Sequence, residues 1–130
     1  MDVIAVDDDH AGLELLRMVL EAAGHTVRTS RTADGAFDLV TEAAPAVLVT
    51  DLMMGSDRQD GFRLIDRLRA SPQLAHVPVV ALTGVTSAQD LGRARTAGAD
   101  VCLVKPIDVA AFLQIIARFS PAAGAGQGTD

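Results

Sequence analysis

The segment VIAVDDDHAG, residues 3–12, sets four apolar residues directly against Asp7, Asp8 and Asp9. Two unit charges about 4 Å apart repel by roughly 4 kcal/mol at an effective dielectric near 20. Carboxylates gathered at the end of an apolar run therefore imply either a cation among them or a solvated turn. Three further positions carry related chemistry. Asp51 follows the apolar run AVLVT at 46–50, Thr83 closes VPVVALT at 77–83, and Lys105 follows DVCLV at 100–104. Lys105 is the only lysine among 11 basic residues, so whatever favoured arginine elsewhere did not act there. Carboxylate oxygens suit a hard cation such as Mg²⁺, which binds through one or two carboxylates and keeps several waters. Mn²⁺ accepts the same donors. Asp7, Asp8 and Asp51 are the candidate metal ligands. A carboxylate beside such a cation and an ammonium is also a phosphoryl acceptor, because an aspartate oxygen can attack phosphorus to form an acyl phosphate. The cation, Lys105 and Thr83 would then neutralise charge on the transferring oxygens.

These residues must be positioned by the elements that precede them. Short apolar runs alternate with helical patterns along the chain. A helix from Asp9 or His10 carries Leu13, Leu16, Leu20 and Ala23 on one face and stops at Gly24. Residues 25–30 form a more exposed strand, and 33–44 a helix closed by Pro45. Residues 46–50 form a buried strand, 61–71 a helix, 77–83 a strand and 86–99 a helix. That helix opens with capping-type spacing at Ser87 and Asp90 or Thr86 and Gln89. Residues 100–104 form the fifth strand and 108–119 the last helix, with Asp108 as N-cap. Five β–α units with continuous apolar strands predict an α/β domain with a parallel sheet covered on both faces. In such sheets ligands sit at the carboxyl ends of the strands, near the switch in strand order. Asp7, Asp8, Asp51, Thr83 and Lys105 all fall there.

Bulk properties narrow the partners. The chain has 130 residues, 49% hydrophobic, with a mean hydropathy of +0.29, which suits one domain with a real core. A net charge of −6 argues against nucleic acid and anionic membrane as main partners. A single cysteine, Cys102, excludes an internal disulfide and fits a reducing, cytoplasmic setting. No apolar run approaches the roughly 20 residues of a membrane span. The segment 120–130, SPAAGAGQGTD, has the composition of a flexible tail or linker after a domain spanning 1–119.

Taken in order, the acidic pair Asp7-Asp8, Asp51, Met54, Asp60-Gly61, Thr83-Gly84 and Lys105-Pro106 resemble a two-component response-regulator receiver domain of the chemotaxis-regulator-like kind. The resemblance covers residues 2 to about 119 and implies a flavodoxin-like, doubly wound (βα)5 domain with strand order 2-1-3-4-5. It implies that Asp51 takes a phosphoryl group from a sensor histidine kinase or phosphotransfer protein. It implies that Asp7, Asp8, Asp51 and the Met53 backbone carbonyl surround Mg²⁺, that Thr83 and Lys105 engage the phosphoryl group, and that Lys105–Pro106 is cis. Cys102 occupies the switch position. The downstream protein would dock on the face of helix four, strand five and helix five. Such a chain is a signalling switch, catalysing only its own phosphorylation and dephosphorylation. Both a stand-alone regulator and a receiver within a longer protein fit it.

Three features depart from the family pattern. Gly55 stands where proline is usual, the loop from Asp51 to Gly61 is two residues longer, and Cys102 replaces an aromatic. That loop, residues 55–60, is expected to be mobile and to serve partner choice. The departures leave open a degenerate receiver that works only as a phosphorylation-independent interaction module. A haloacid-dehalogenase-type phosphatase or phosphomutase needs a second aspartate at 53, where Met53 stands. An FMN carrier needs a phosphate-binding loop after strand one, where DDDHAG would repel phosphate. Asp9 is expected to cap the first helix rather than bind metal. Cys102 is expected to be a small buried hydrophobe, and His10, His25 and His76 to be surface residues without metal spacing.

Overall fold

The computed structural model describes residues 1–84 and 88–120. Strands and helices alternate: β1 (Asp2–Val6), α1 (His10–Ala22), β2 (Thr26–Ser30), α2 (Ala33–Glu42), β3 (Val47–Asp51), α3 (Asp60–Ala70), β4 (Val79–Thr83), α4 (Ala88–Ala97), β5 (Val101–Val104) and α5 (Val109–Ala117). The strands pair in parallel in the order β2-β1-β3-β4-β5. This is the doubly wound architecture that the β–α alternation and the resemblance predict.

Side chains alternate across each strand, so each strand feeds two cores. Val3, Ala5, Val47, Val49, Val80 and Leu82 pack with Leu13, Leu16 and Leu20 of α1 and with Phe112 and Ile116 of α5. Ile4, Val6, Leu48, Val79 and Ala81 pack on the other face with residues of α2, α3 and α4, among them Val40, Phe62, Leu68 and Ala94. Central strands buried on both sides are almost continuously apolar, with Thr50 of β3 and Thr83 of β4 among the buried polar exceptions. β1 lies between β2 and β3, so the chain reverses its direction of winding there. The carboxyl ends of β1 and β3 consequently flank one crevice.

Helix ends follow local chemistry. Asp9 caps α1 by accepting from the Gly12 amide at 3.0 Å, and Asp108 caps α5 by accepting from Ala111 at 3.1 Å. Thr32 caps α2 in the same way. Gly24, at φ +93°, follows α1 in the left-handed region open to glycine. α2 ends at Glu42, short of the expected Ala44, because Pro45 disfavours helical backbone in the residue before it. α5 ends at Ala117 rather than 119. Thr86 and Ser87, the proposed caps of α4, and residues 121–130 of the expected tail lie outside the described residues.

The fifth strand differs from expectation. Its residues are only half-buried, and Val104 is exposed, because β5 is an edge strand with a neighbour on one side only. Cys102 is therefore half-buried rather than fully buried, packed against the α2–α3–α4 side of the core. No helix among the described residues is long and apolar enough to cross a membrane.

Candidate functional site

The crevice between β1 and β3 brings three carboxylates together. Asp7 follows β1, Asp51 is the last residue of β3, and Asp8 lies in the turn into α1. One oxygen from each lies within 4.8 Å of the others. Asp7 and Asp51 are nearly inaccessible, at 2% and 7% exposure, while Asp8 is more open to solvent. The sequence register explains this: apolar runs carry the chain through the sheet and release it only at the aspartates.

Lys105 reaches the same place from 98 residues away. Its Nζ lies 3.3 Å from Asp7 Oδ2 and 3.5 Å from Asp51 Oδ2. Its backbone N–H donates to the Thr83 carbonyl at 2.7 Å, which ties the β5–α5 connection to the end of β4. The Lys105–Pro106 peptide is cis, as the resemblance implies. Thr83 is fully buried at the strand end beside this connection.

Local backbone donors complete the arrangement. The Asp9 amide donates to Asp7 Oδ1 at 2.9 Å, and the Met53 amide to Asp51 Oδ1 at 3.4 Å. Burial pushes the Asp51 carboxyl above its ordinary range. Lys105 and the Met53 amide oppose that shift, while Asp7 adds to it. Asp51 is thus a desolvated carboxylate whose charge one ammonium only partly offsets.

The donor set suits a hard divalent cation. It consists of carboxylate oxygens, two buried and one open, with no nitrogen or sulfur ligand in the cluster. Asp7, Asp8 and Asp51, the sequence-derived ligand candidates, are the three residues brought together. Asp9 stays with the helix cap. Cys102 lies outside the cluster: it pairs with Ala81, two residues before Thr83 along β4, and burial raises its thiol pKa, with Arg95 opposing. His10 and His76 are exposed. His25 departs from the surface expectation, being half-buried with its Nδ1 3.2 Å from the amino terminus.

Three glycines matter more than the sequence suggested. A Cβ on Gly61 would sit 2.3 Å from the Asp51 carbonyl oxygen and 2.4 Å from Leu52 Cα, so only glycine lets α3 start this close to β3. A Cβ on Gly12 would lie 3.1 Å from Asp7 Oδ2. Gly55, at φ +85°, donates its N–H to Asp8 Oδ2 at 3.2 Å. The loop it opens is bonded rather than loose. Arg58 N–H donates to Gly55 O, Gln59 N–H to Asp57 Oδ1 and Asp60 N–H to Met54 O. The Gly-flanked, longer loop was a signal in the sequence, but its tie to Asp8 was not. Beside the site, a cavity of about 480 Å³ between α1 and the β5–α5 connection is lined by Leu15, Leu16, Val19, Ile107 and Val109, together with Asp7 and Lys105.

Comparison with known proteins bears on the family and the fold. Residues 3–117 match the family model described as the response regulator receiver domain. An uncharacterized 14.6 kDa protein of Leptolyngbya boryana is 34% identical over 119 residues, covering 92% of this chain and 89% of that protein. The polar-differentiation response regulator DivK of Brucella ovis is 28% identical, covering 90% and 94% respectively. Among solved structures, the Vibrio cholerae chemotaxis protein CheY4 superposes with a TM-score of 0.83 at 27% identity, covering 92% of this chain and 98% of that one.

Proposed function

The chain belongs to the response regulator receiver domain family, and from that premise we propose that Asp51 accepts a phosphoryl group in a Mg²⁺-dependent reaction and that the protein thereby changes its partner binding. Receiver domains are signalling switches rather than enzymes acting on a separate product. The observation that carries the proposal is Lys105 Nζ lying between the buried carboxylates of Asp7 and Asp51.

Asp7, Asp8 and Asp51, with the Met53 carbonyl, would hold Mg²⁺. When bound, it supplies charge neutralisation for the phosphoryl oxygens. An Asp51 oxygen forms the new bond to phosphorus as the bond from phosphorus to the donor breaks. The donor is the phosphohistidine of a sensor kinase or phosphotransfer protein, or a small acyl phosphate. Lys105 offsets charge on the transferred group, and Thr83 offers its hydroxyl to a phosphoryl oxygen. Burial suits Asp51 to this task, because a poorly solvated carboxylate with a raised pKa gains by sharing its charge with phosphorus and a cation. The downstream partner would bind the face made by α4, β5 and α5, where β5 is a half-buried edge strand of the sheet. We place the protein in the cytoplasm, with no nucleic acid or membrane among its direct partners. The intact cluster favours this reading over a phosphorylation-independent module.

Intact-mass spectrometry after incubation with acetyl phosphate tests the proposal. One phosphoryl adduct is expected with Mg²⁺, none with EDTA, and none in Asp51→Asn. An adduct of equal yield in Asp51→Asn or in EDTA overturns it.

A further inference from the structure

The β3–α3 loop reaches the acidic cluster through one bond that the function above does not use. Gly55 N–H donates to Asp8 Oδ2 at 3.2 Å. Asp8 is the most open of the three carboxylates, so it has the most freedom to leave the cluster. The Gly55 amide is what the loop contributes to holding it. A proline at this position has no N–H to donate and cannot adopt φ +85°.

The loop is in turn held from α3. Arg63 pairs with Asp57 within the loop and with Asp60 in the first turn of α3, the latter at 2.7 Å. The Asp60 carboxylate lies against Gly55 so closely that a Cβ there would meet its Oδ2 at 2.2 Å. Arg63, Asp60, Gly55 and Asp8 thus form one contiguous series.

We propose that this loop is a positioning element for the metal site, in which Gly55 N–H fixes the Asp8 carboxylate and Arg63 holds the loop that presents it. The proposal rests on the reading of Asp8 as a metal ligand. Hydrogen bonds to ligating carboxylates orient them, and their loss weakens metal affinity. Electrostatics alone gives the opposite sign for Arg63: removing a positive charge near an anionic site strengthens cation binding. The sign of the effect therefore separates positioning from charge.

The experiment is isothermal titration calorimetry with Mg²⁺ on the wild type, Arg63→Gln and Asp8→Asn, with hydrogen exchange of the Gly55 amide measured in EDTA. Arg63 is exposed, so the Gln variant is expected to fold and to melt within about 1–2 °C of the wild type, as for surface ion pairs in general. Positioning predicts that Arg63→Gln binds Mg²⁺ about threefold to tenfold more weakly, less than the 10–100-fold typical of a partner bonded directly to a ligand. Faster exchange at Gly55 should accompany the loss. Unchanged or tighter Mg²⁺ binding in Arg63→Gln, while Asp8→Asn binds weakly, overturns the positioning role and leaves the metal reading standing. Undiminished binding in Asp8→Asn overturns the metal reading itself. Weaker binding in Arg63→Gln without any change at Gly55 also overturns the proposed route.

Discussion

Neutralising Asp51 should stabilise the metal-free protein. In Asp51→Asn the amide oxygen can still accept from Met53 N–H, but the charge is gone. Asp7 and Asp8 each offer an oxygen within 4.8 Å of Asp51. Each repulsion at that separation is worth about 0.9 kcal/mol at the dielectric of water and about 3.5 kcal/mol at an effective dielectric of 20. The Lys105 attraction at 3.5 Å is worth about 1.2 to 4.7 kcal/mol between the same limits. Two repulsions removed against one attraction lost leaves a net gain of about 0.5–2 kcal/mol. The desolvation cost of the buried carboxylate is removed as well and acts in the same direction. The gain corresponds to roughly 2–8 °C in melting temperature for a domain of this size. Its pH dependence follows from the direction of the shift. Asp51 has a folded-state pKa above its unfolded value, so its ionisation costs no stability below the unfolded value, near 3.9. The cost develops as pH rises through the folded value. Wild type and variant should therefore have similar stability near pH 3.5 and diverge towards pH 7.5. Urea unfolding in EDTA across this range is the assay. A variant less stable than wild type at pH 7.5, or a gap that does not change with pH, would refute the balance drawn here.

Mg²⁺ should raise the melting temperature of the wild type, with a gain of about 1.4 kcal/mol at ten times the dissociation constant. A thermal scan at millimolar metal checks this, and Asp8→Asn should respond less. Gly61→Ala should destabilise by about 1–3 kcal/mol, as overpacking does. Its Cβ would be driven into the Asp51–Leu52 backbone, and denaturant titration measures the loss. Thr83→Ala should weaken the amide chemical-shift response to beryllofluoride far more than Cys102→Ala. Thr83 is buried at the end of β4, where its carbonyl accepts from the Lys105 amide, whereas Cys102 pairs two residues back along β4 and offers little differential contact between states. A normal response in Thr83→Ala with a silent Cys102→Ala would reverse those roles.

Much of this protein is local and was legible in the residues alone. Apolar runs ending in Asp7, Asp51, Thr83 and Lys105 announced both the strands and the edge at which chemistry collects, because strands that pack against a core stay largely apolar until the chain leaves the sheet. Asp9 and Asp108 announced helix starts through side-chain oxygens that reach amides three residues on. Those interactions span a few residues, so composition and spacing encode them. Tertiary structure decided what depends on distant segments. Lys105 finds Asp7 across 98 residues of chain, and no local pattern states that distance. The half-burial of Cys102 follows from the position of β5 at the sheet edge, which pairing rather than composition sets. The raised pKa of Asp51 is a property of what covers it. The need for glycine at 61 arises where the backbones of β3 and α3 meet. The bond from Gly55 to Asp8 joins positions 47 residues apart, and it exists because the loop folds back over the end of β1.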